Sequence, residues 1–133
     1  MDQDGAIGVK MKLGIVGSRR RTTPKDKDLI RQRIIELKPD ELVSGGCAKG
    51  ADRFAEELAI ELHLAIEIFR PDLGGNTHPT RYDAIKAYYA RNRQIAEASD
   101  YLIALVAPDR RGGTEHTIGL FIRFHREENC KIL

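Results

Sequence analysis

Apolar residues fall along this chain in two alternating kinds of run. Short, mainly apolar runs occupy 12–16, 41–44, 65–69 and 101–106. Between them the apolar positions recur at helical spacing. Ile30, Ile34 and Leu37 share one stripe; Phe54, Leu58 and Leu62 share another, with Ala55 and Ala59 beside it. Ile85, Tyr88, Ile95 and Ala96 lie near one face of 81–98, and Ile118, Phe121, Ile122 and His125 form the last stripe. Short apolar runs of this kind read as buried parallel strands, and the spaced ones as amphipathic helices. Thr23 is a plausible N-cap for a helix whose first turn holds Pro24, and Lys38-Pro39-Asp40 stops it. Residues 131–133 suggest a short fifth strand. Strand and helix alternate throughout, which predicts an α/β fold: a three-layer, doubly wound parallel sheet of about five strands with helices on both faces. The most hydrophobic run, 101–106, is expected at the centre of the sheet.

The 133 residues suffice for one domain, read as 11–133. Residues 1–10 are polar, glycine-spotted and without period. They are set aside as a flexible leader, with Met11 as the expected natural start. A net charge of +2 makes no field that would attract nucleic acid or an anionic membrane, so any basic function has to be local. No apolar run reaches transmembrane length. Cys47 and Cys130, with no signal peptide ahead of them, read as reduced thiols in a cytoplasmic protein.

Ligands of such sheets bind beyond the carboxyl ends of the strands, where strand order reverses. Three strand exits here carry suitable chemistry. The second runs Val43-Ser44-Gly45-Gly46-Cys47-Ala48-Lys49-Gly50-Ala51-Asp52-Arg53 and opens a helix. Its glycines Gly45, Gly46 and Gly50 permit positive φ and close approach to backbone, and the helix turns its free N–H groups toward the loop. The stretch matches neither G-x-G-x-x-G nor the Walker pattern. Lys49 is either a phosphate contact or a solvated lysine. Asp52 either complements the helix dipole, binds ribose hydroxyls, or holds Arg19 through an ion pair. The first exit offers Gly17, Ser18 and the guanidinium fork of Arg19, with Arg20 and Arg21 read as a solvated basic turn. The fourth offers Gly112, Gly113 and Thr114, Thr114 serving as helix cap or phosphate contact. Glu115 and His116 follow it and are either a first-turn glutamate and an exposed histidine or a pair for general acid–base work. Arg91 and Asn92 sit late in the long helix, where asparagine is an indifferent helix former and hints at a side-chain partner. The spacing does not support a Cys47–His116 nucleophile pair. His63, His78 and His125 lack metal-ligand spacing, so no metal site is expected and no cofactor is required; Mg²⁺ would enter only with a phosphate ligand. The loop 70–80, with its Gly74-Gly75-Asn76 turn, is long enough to cover something.

Taken in order, Gly17-Ser18-Arg19, Ser44-Gly45-Gly46 through Gly50-Ala51-Asp52, Arg91-Asn92 and Gly112-Gly113-Thr114 resemble the SLOG superfamily. They are most similar to its small stand-alone group with the pattern GSR, SGGAxGAD, RN, GGT. The likeness runs over nearly all of 11–133. It implies a Rossmann-like sheet and a pocket for a nucleotide or nucleotide-derived ligand, such as a nucleoside monophosphate or an ADP-ribose- or NAD-like molecule, and a role as a sensor. Relatives include Lonely-Guy phosphoribohydrolases and DNA-processing proteins, and they often pair through helices, which implies a homodimer or higher homo-oligomer. The Lonely-Guy motif P-G-G-x-G-T-x-x-E ends in a catalytic glutamate; aligned on Gly113-Thr114, this chain has Thr117 there. The expectation is therefore a nucleotide-binding domain. The first alternative is an N-glycosidic hydrolase or transferase using Glu115 or Asp52. The second is a single-stranded nucleic-acid module using Arg19 to Arg21 with Arg110 and Arg111, against which the low net charge argues.

Overall fold

The structure, a computed structural model, describes residues 10–75 and 78–133. The expected leader, apart from Lys10, and Asn76 of the turn lie outside them. In chain order the elements are β1 (Lys12–Gly17), α1 (Pro24–Leu37), β2 (Glu41–Ser44), α2 (Ala51–Glu61), β3 (Ala65–Ile68), α3 (Arg81–Ala98), β4 (Tyr101–Leu105), α4 (Gly113–Phe124), a 3-10 turn (Glu127–Asn129) and β5 (Cys130–Ile132). All pairings are parallel, in the order β3-β2-β1-β4-β5. From β1 the chain winds outward through β2 to β3, then returns to the other side of β1 for β4 and β5. The switch point therefore lies between β1 and β4. The three-layer α/β sheet is as the alternating pattern predicts.

Strand periodicity sorts the core into two faces. Leu13, Ile15, Leu42, Ile103 and Leu105 pack with Ile30 and Ile34 of α1 and with Phe54, Ala55 and Leu58 of α2. Val16, Val43, Leu102 and Ala104 point the opposite way, onto Ile95 and Ala96 of α3 and Ile118 and Phe121 of α4. The central strand is β1, flanked by β2 and β4, so the most hydrophobic run is interior but not in the middle. Close packing explains the mismatch. A Cβ on Gly14 would collide with the Ser99 side chain, and one on Gly17 would lie 2.7 Å from Ala51 Cβ and 2.8 Å from Leu105 Cβ. The middle strand gives up side chains so that its neighbours can approach.

The helices begin in two different ways. Thr23 with Asp26 and Thr80 with Asp83 form reciprocal capping boxes that occupy backbone N–H groups of α1 and α3. Helices α2 and α4 instead open from Gly50 and Gly112, with no side-chain cap.

Candidate functional site

Beyond the carboxyl ends of β1 and β4 lies a cavity of about 450 Å³, floored by Val16, Ile95 and Thr117. One wall is the β1 exit loop. Ser18 is fixed by its N–H donating to Leu105 O at 2.9 Å, and its Oγ accepts from Arg20 N at 3.1 Å. Arg21 is not a solvated residue of a basic turn. Its Nη1 donates to Val106 O (3.1 Å) and Leu133 O (2.7 Å), and its Nη2 pairs with Asp26 at 2.9 Å. Arg20 is exposed and pairs with Asp109. Arg19, next to Ser18, lines the cavity with no hydrogen bond or ion pair to any described residue. The opposite wall is the start of α4. Gly112, at φ 118°, is the N-cap and Thr114 the second helical residue, so Thr114 does not cap the helix. Thr114 and Arg111 line the cavity, and the Arg111 guanidinium likewise has no partner among the described residues.

A second cavity, of about 650 Å³, opens beside the first over the β2 exit loop. Gly46 and Gly50 both adopt positive φ, 74° and 73°. At Gly50 an added Cβ would strike the Ser18 carbonyl, so this glycine lets the β1 and β2 loops touch. Arg70 Nη1 donates to Gly46 O at 3.0 Å, while Lys49 is exposed at the rim and has no partner among the described residues.

The glycine loop is held from inside by Asp52 and Arg91. Asp52 is buried, and its Oδ2 accepts the Cys47 N–H at 3.0 Å. Burial pushes the Asp52 carboxyl above its ordinary value, opposed by the Cys47 bond, the Arg91 charge and the polar groups of Ser44 and Gly45. The fully buried Ser44 hydroxyl has no hydrogen bond of ordinary length. Arg91 Nη1 donates to Gly45 O at 2.6 Å and reaches Phe69 O at 3.5 Å, while its Nε donates to Asn92 Oδ1 at 3.1 Å. The charge facing Asp52 is therefore Arg91 from α3, and not Arg19. With its carbonyl so used, buried Asn92 turns Nδ2 toward Gly113 O (3.5 Å) and His116 Nδ1 (3.2 Å). His116 stacks on Tyr89 at 4.0 Å between centroids, and burial lowers its pKa, favouring the neutral ring that can accept from Asn92.

Thus Gly17, Ser18, Arg19, Asp52, Arg91, Asn92, Gly112, Gly113 and Thr114 come together around the first cavity, and Gly45, Gly46 and Lys49 around the second. Ser44 and Gly50 line neither and serve the geometry of the loop. Glu115 also lines neither: Arg110 grips its carboxylate through Nε (2.8 Å) and Nη2 (2.9 Å). His116 is withdrawn behind Tyr89. The candidate acid–base pair is not assembled over the cavity. Missed by the sequence reading was the wall formed by Ile85, Tyr88 and Tyr89 of α3. Ile85 and Tyr88 had been placed on the core stripe, but that stripe outruns the sheet and its first half faces the cavity, 38–51% exposed. Exposed aromatic and aliphatic residues spaced i, i+3, i+4 ahead of Arg91 were the available signal.

Among the described residues no group of three or more His, Cys, Asp or Glu is arranged to hold a metal ion, and no helix is long and apolar enough to cross a membrane. Compared with known protein families and with curated proteins, the chain gives no match.

Proposed function

We propose that this domain binds a phosphate-bearing nucleotide or nucleotide-derived ligand at the mouth between β1 and β4, as a SLOG-type module of the cytoplasm. One observation carries the reading. Two guanidinium groups, Arg19 and Arg111, stand without partners among the described residues over a cavity that is closed by a glycine-started, side-chain-uncapped helix. Elsewhere at this edge, arginines are spent on carboxylates or carbonyls: Arg20 on Asp109, Arg21 on Asp26, Arg110 on Glu115. Unspent cations facing free helix N–H groups suit a phosphate, which takes bidentate contacts from arginine and backbone donors together. Tyr88, Tyr89 and Ile85 supply an apolar wall of the kind that holds a planar base. Mg²⁺ would enter bound to the phosphate. Binding without hydrolysis is favoured over the phosphoribohydrolase reading, because Glu115 is held away from the cavity and Asp52 is occupied by the Cys47 amide.

Isothermal calorimetry with AMP and ADP tests the reading. Arg19→Ala removes a charge-assisted bidentate contact, roughly 1.5–3 kcal/mol, and should weaken binding by about ten- to a hundredfold. Unchanged affinity in a folded variant removes Arg19 from the site. Base release from AMP, followed alongside, should be absent in wild type; brisk release that collapses in Glu115→Gln would establish the hydrolase instead.

A further inference from the structure

Two neighbouring residues of α3 reach opposite walls of the mouth. Arg91 holds the glycine loop through Gly45 O, and Asn92 touches the start of α4 through Gly113 O and His116 Nδ1. The bond from Arg91 Nε to Asn92 Oδ1, 3.1 Å, joins them into one chain between the walls. That chain has a fixed polarity. A guanidinium only donates, so the Asn92 oxygen is turned to Arg91 and its NH₂ group to His116. His116 Nδ1 therefore has to accept, with the ring proton on Nε2. A histidine protonated at both nitrogens offers no acceptor. At 3.2 Å, an N–H would then point at an NH₂ group. Either the ring must leave its stack on Tyr89, or the amide must turn over and set its NH₂ against the Arg91 donor.

We infer that His116, Asn92 and Arg91 form a proton-controlled latch that regulates the mouth. It holds the start of α4 and the glycine loop together while His116 is neutral, and lets go when Nδ1 takes a proton. Its consequence for a ligand rests on the nucleotide reading above. From α3, Tyr89 and Asn92 meet the ring, while Arg93 and Glu97 pair with each other further along that helix. On its own helix Glu115 is held by Arg110, and the Cys130 thiol of β5 lies in the field of that pair. Strands β1 and β4 carry titratable side chains only at their far, amino ends, Lys12 and Tyr101. Across the cavity stand Arg19 and Arg111, which are cations. No carboxylate among these groups favours the charged ring, and burial holds its pKa below the ordinary 6.5. The latch is thus closed near neutral pH and opens as pH falls through that lowered value.

An NMR titration of the wild-type protein between pH 7.5 and 5.5 reads the latch without a ligand. His116 should be in the Nε2–H form at pH 7.5. The Asn92 side-chain amide, the Arg91 Nε–H and the Gly45 N–H should shift with the His116 midpoint. An Nδ1–H tautomer at pH 7.5, or Arg91 and Gly45 signals that stay fixed while His116 titrates, overturns the latch. Calorimetry with AMP reads its effect on the mouth. His116→Gln keeps a side-chain oxygen that can accept from Asn92 but takes up no proton. At pH 7.5 it should bind AMP within about twofold of wild type. On going to pH 5.5, wild type should lose about fivefold more affinity than the variant, the worth of about one hydrogen bond. The titration of the phosphate itself is common to both proteins and cancels. Equal losses overturn control of the mouth by His116. If AMP binds neither protein, the nucleotide reading falls, and the NMR signals decide the latch by themselves.

Discussion

Replacing Arg91 by methionine tests whether the glycine loop is held from inside. The side chain donates to Gly45 O at 2.6 Å and to Asn92 Oδ1 at 3.1 Å, and its charge faces the buried Asp52 carboxyl. Methionine keeps much of the aliphatic stem and removes the donors and the charge. A hydrogen bond from a charged donor contributes about 1.5–3 kcal/mol. Leaving a buried charge without its partner costs about 3–5 kcal/mol. Arg91 is only half-buried, so the lower end applies, and Arg91→Met should lose about 3 kcal/mol at pH 7. The loss should depend on pH in one direction. Asp52 has a pKa above its ordinary 3.8, so at pH values between the unfolded and native pKa the native state keeps a proton that the unfolded chain has released. Its contribution to stability therefore declines as pH rises from the unfolded value through the native one. Arg91 opposes that shift, so its removal enlarges the decline. The deficit should shrink as pH falls toward the unfolded value of 3.8, where Asp52 stays protonated in the native state. Urea unfolding followed by circular dichroism at several pH values between 4 and 7.5 measures it. In an Asp52→Asn background the pH dependence of the Arg91→Met deficit should vanish. A deficit that is flat across this range, or under about 0.5 kcal/mol at pH 7, would refute the account of the loop.

Two further perturbations probe the same edge of the sheet. Gly50→Ala places a Cβ against the Ser18 carbonyl at φ 73° and ψ −146°, a region open essentially to glycine alone, and should destabilise the fold by about 1–3 kcal/mol; a melting temperature within a degree of wild type would count against that loop contact. His116 is held neutral by burial, so the unfolded chain takes up a proton first as pH falls below about 6.5. Stability should decline over that interval in wild type and less steeply in His116→Gln, as comparison of their unfolding free energies at pH 7.5 and 5.5 would show.

How far the sequence reaches is clearest at particular residues. The layers were legible because each strand is short and apolar and each helix stripe regular, and the three glycine-bearing exits follow directly from that alternation. The place of β1 at the centre was not, since Gly14 and Gly17 dilute its hydrophobicity for the sake of packing. Asn92, poor in a helix and buried, did signal a partner, and it has three: Arg91, Gly113 and His116. The occupation of Arg21 and Glu115 was hidden because a sequence does not show that Leu133 O or the Arg110 guanidinium will be within reach. The tyrosine wall was hidden for a different reason: periodicity says which residues share a helix face, not where along that face the sheet stops.

The order β3-β2-β1-β4-β5 also sets when the cavity can come into being. Its walls stand on either side of the contact between β1 and β4, where Leu13 meets Tyr101, 88 residues later. The contact between β1 and β2 joins Lys12 to Glu41, only 29 residues apart. Closing the longer loop costs about 1 kcal/mol more chain entropy than closing the shorter one. Contacts of high sequence separation also form slowly. A chain that has paired β1, β2 and β3 already owns the glycine loop and Arg19, yet has no opposite wall. On a ribosome that wall waits until α4 has been made. The mouth is thus a property of the finished sheet, and its two walls face one another only once the last crossover is complete.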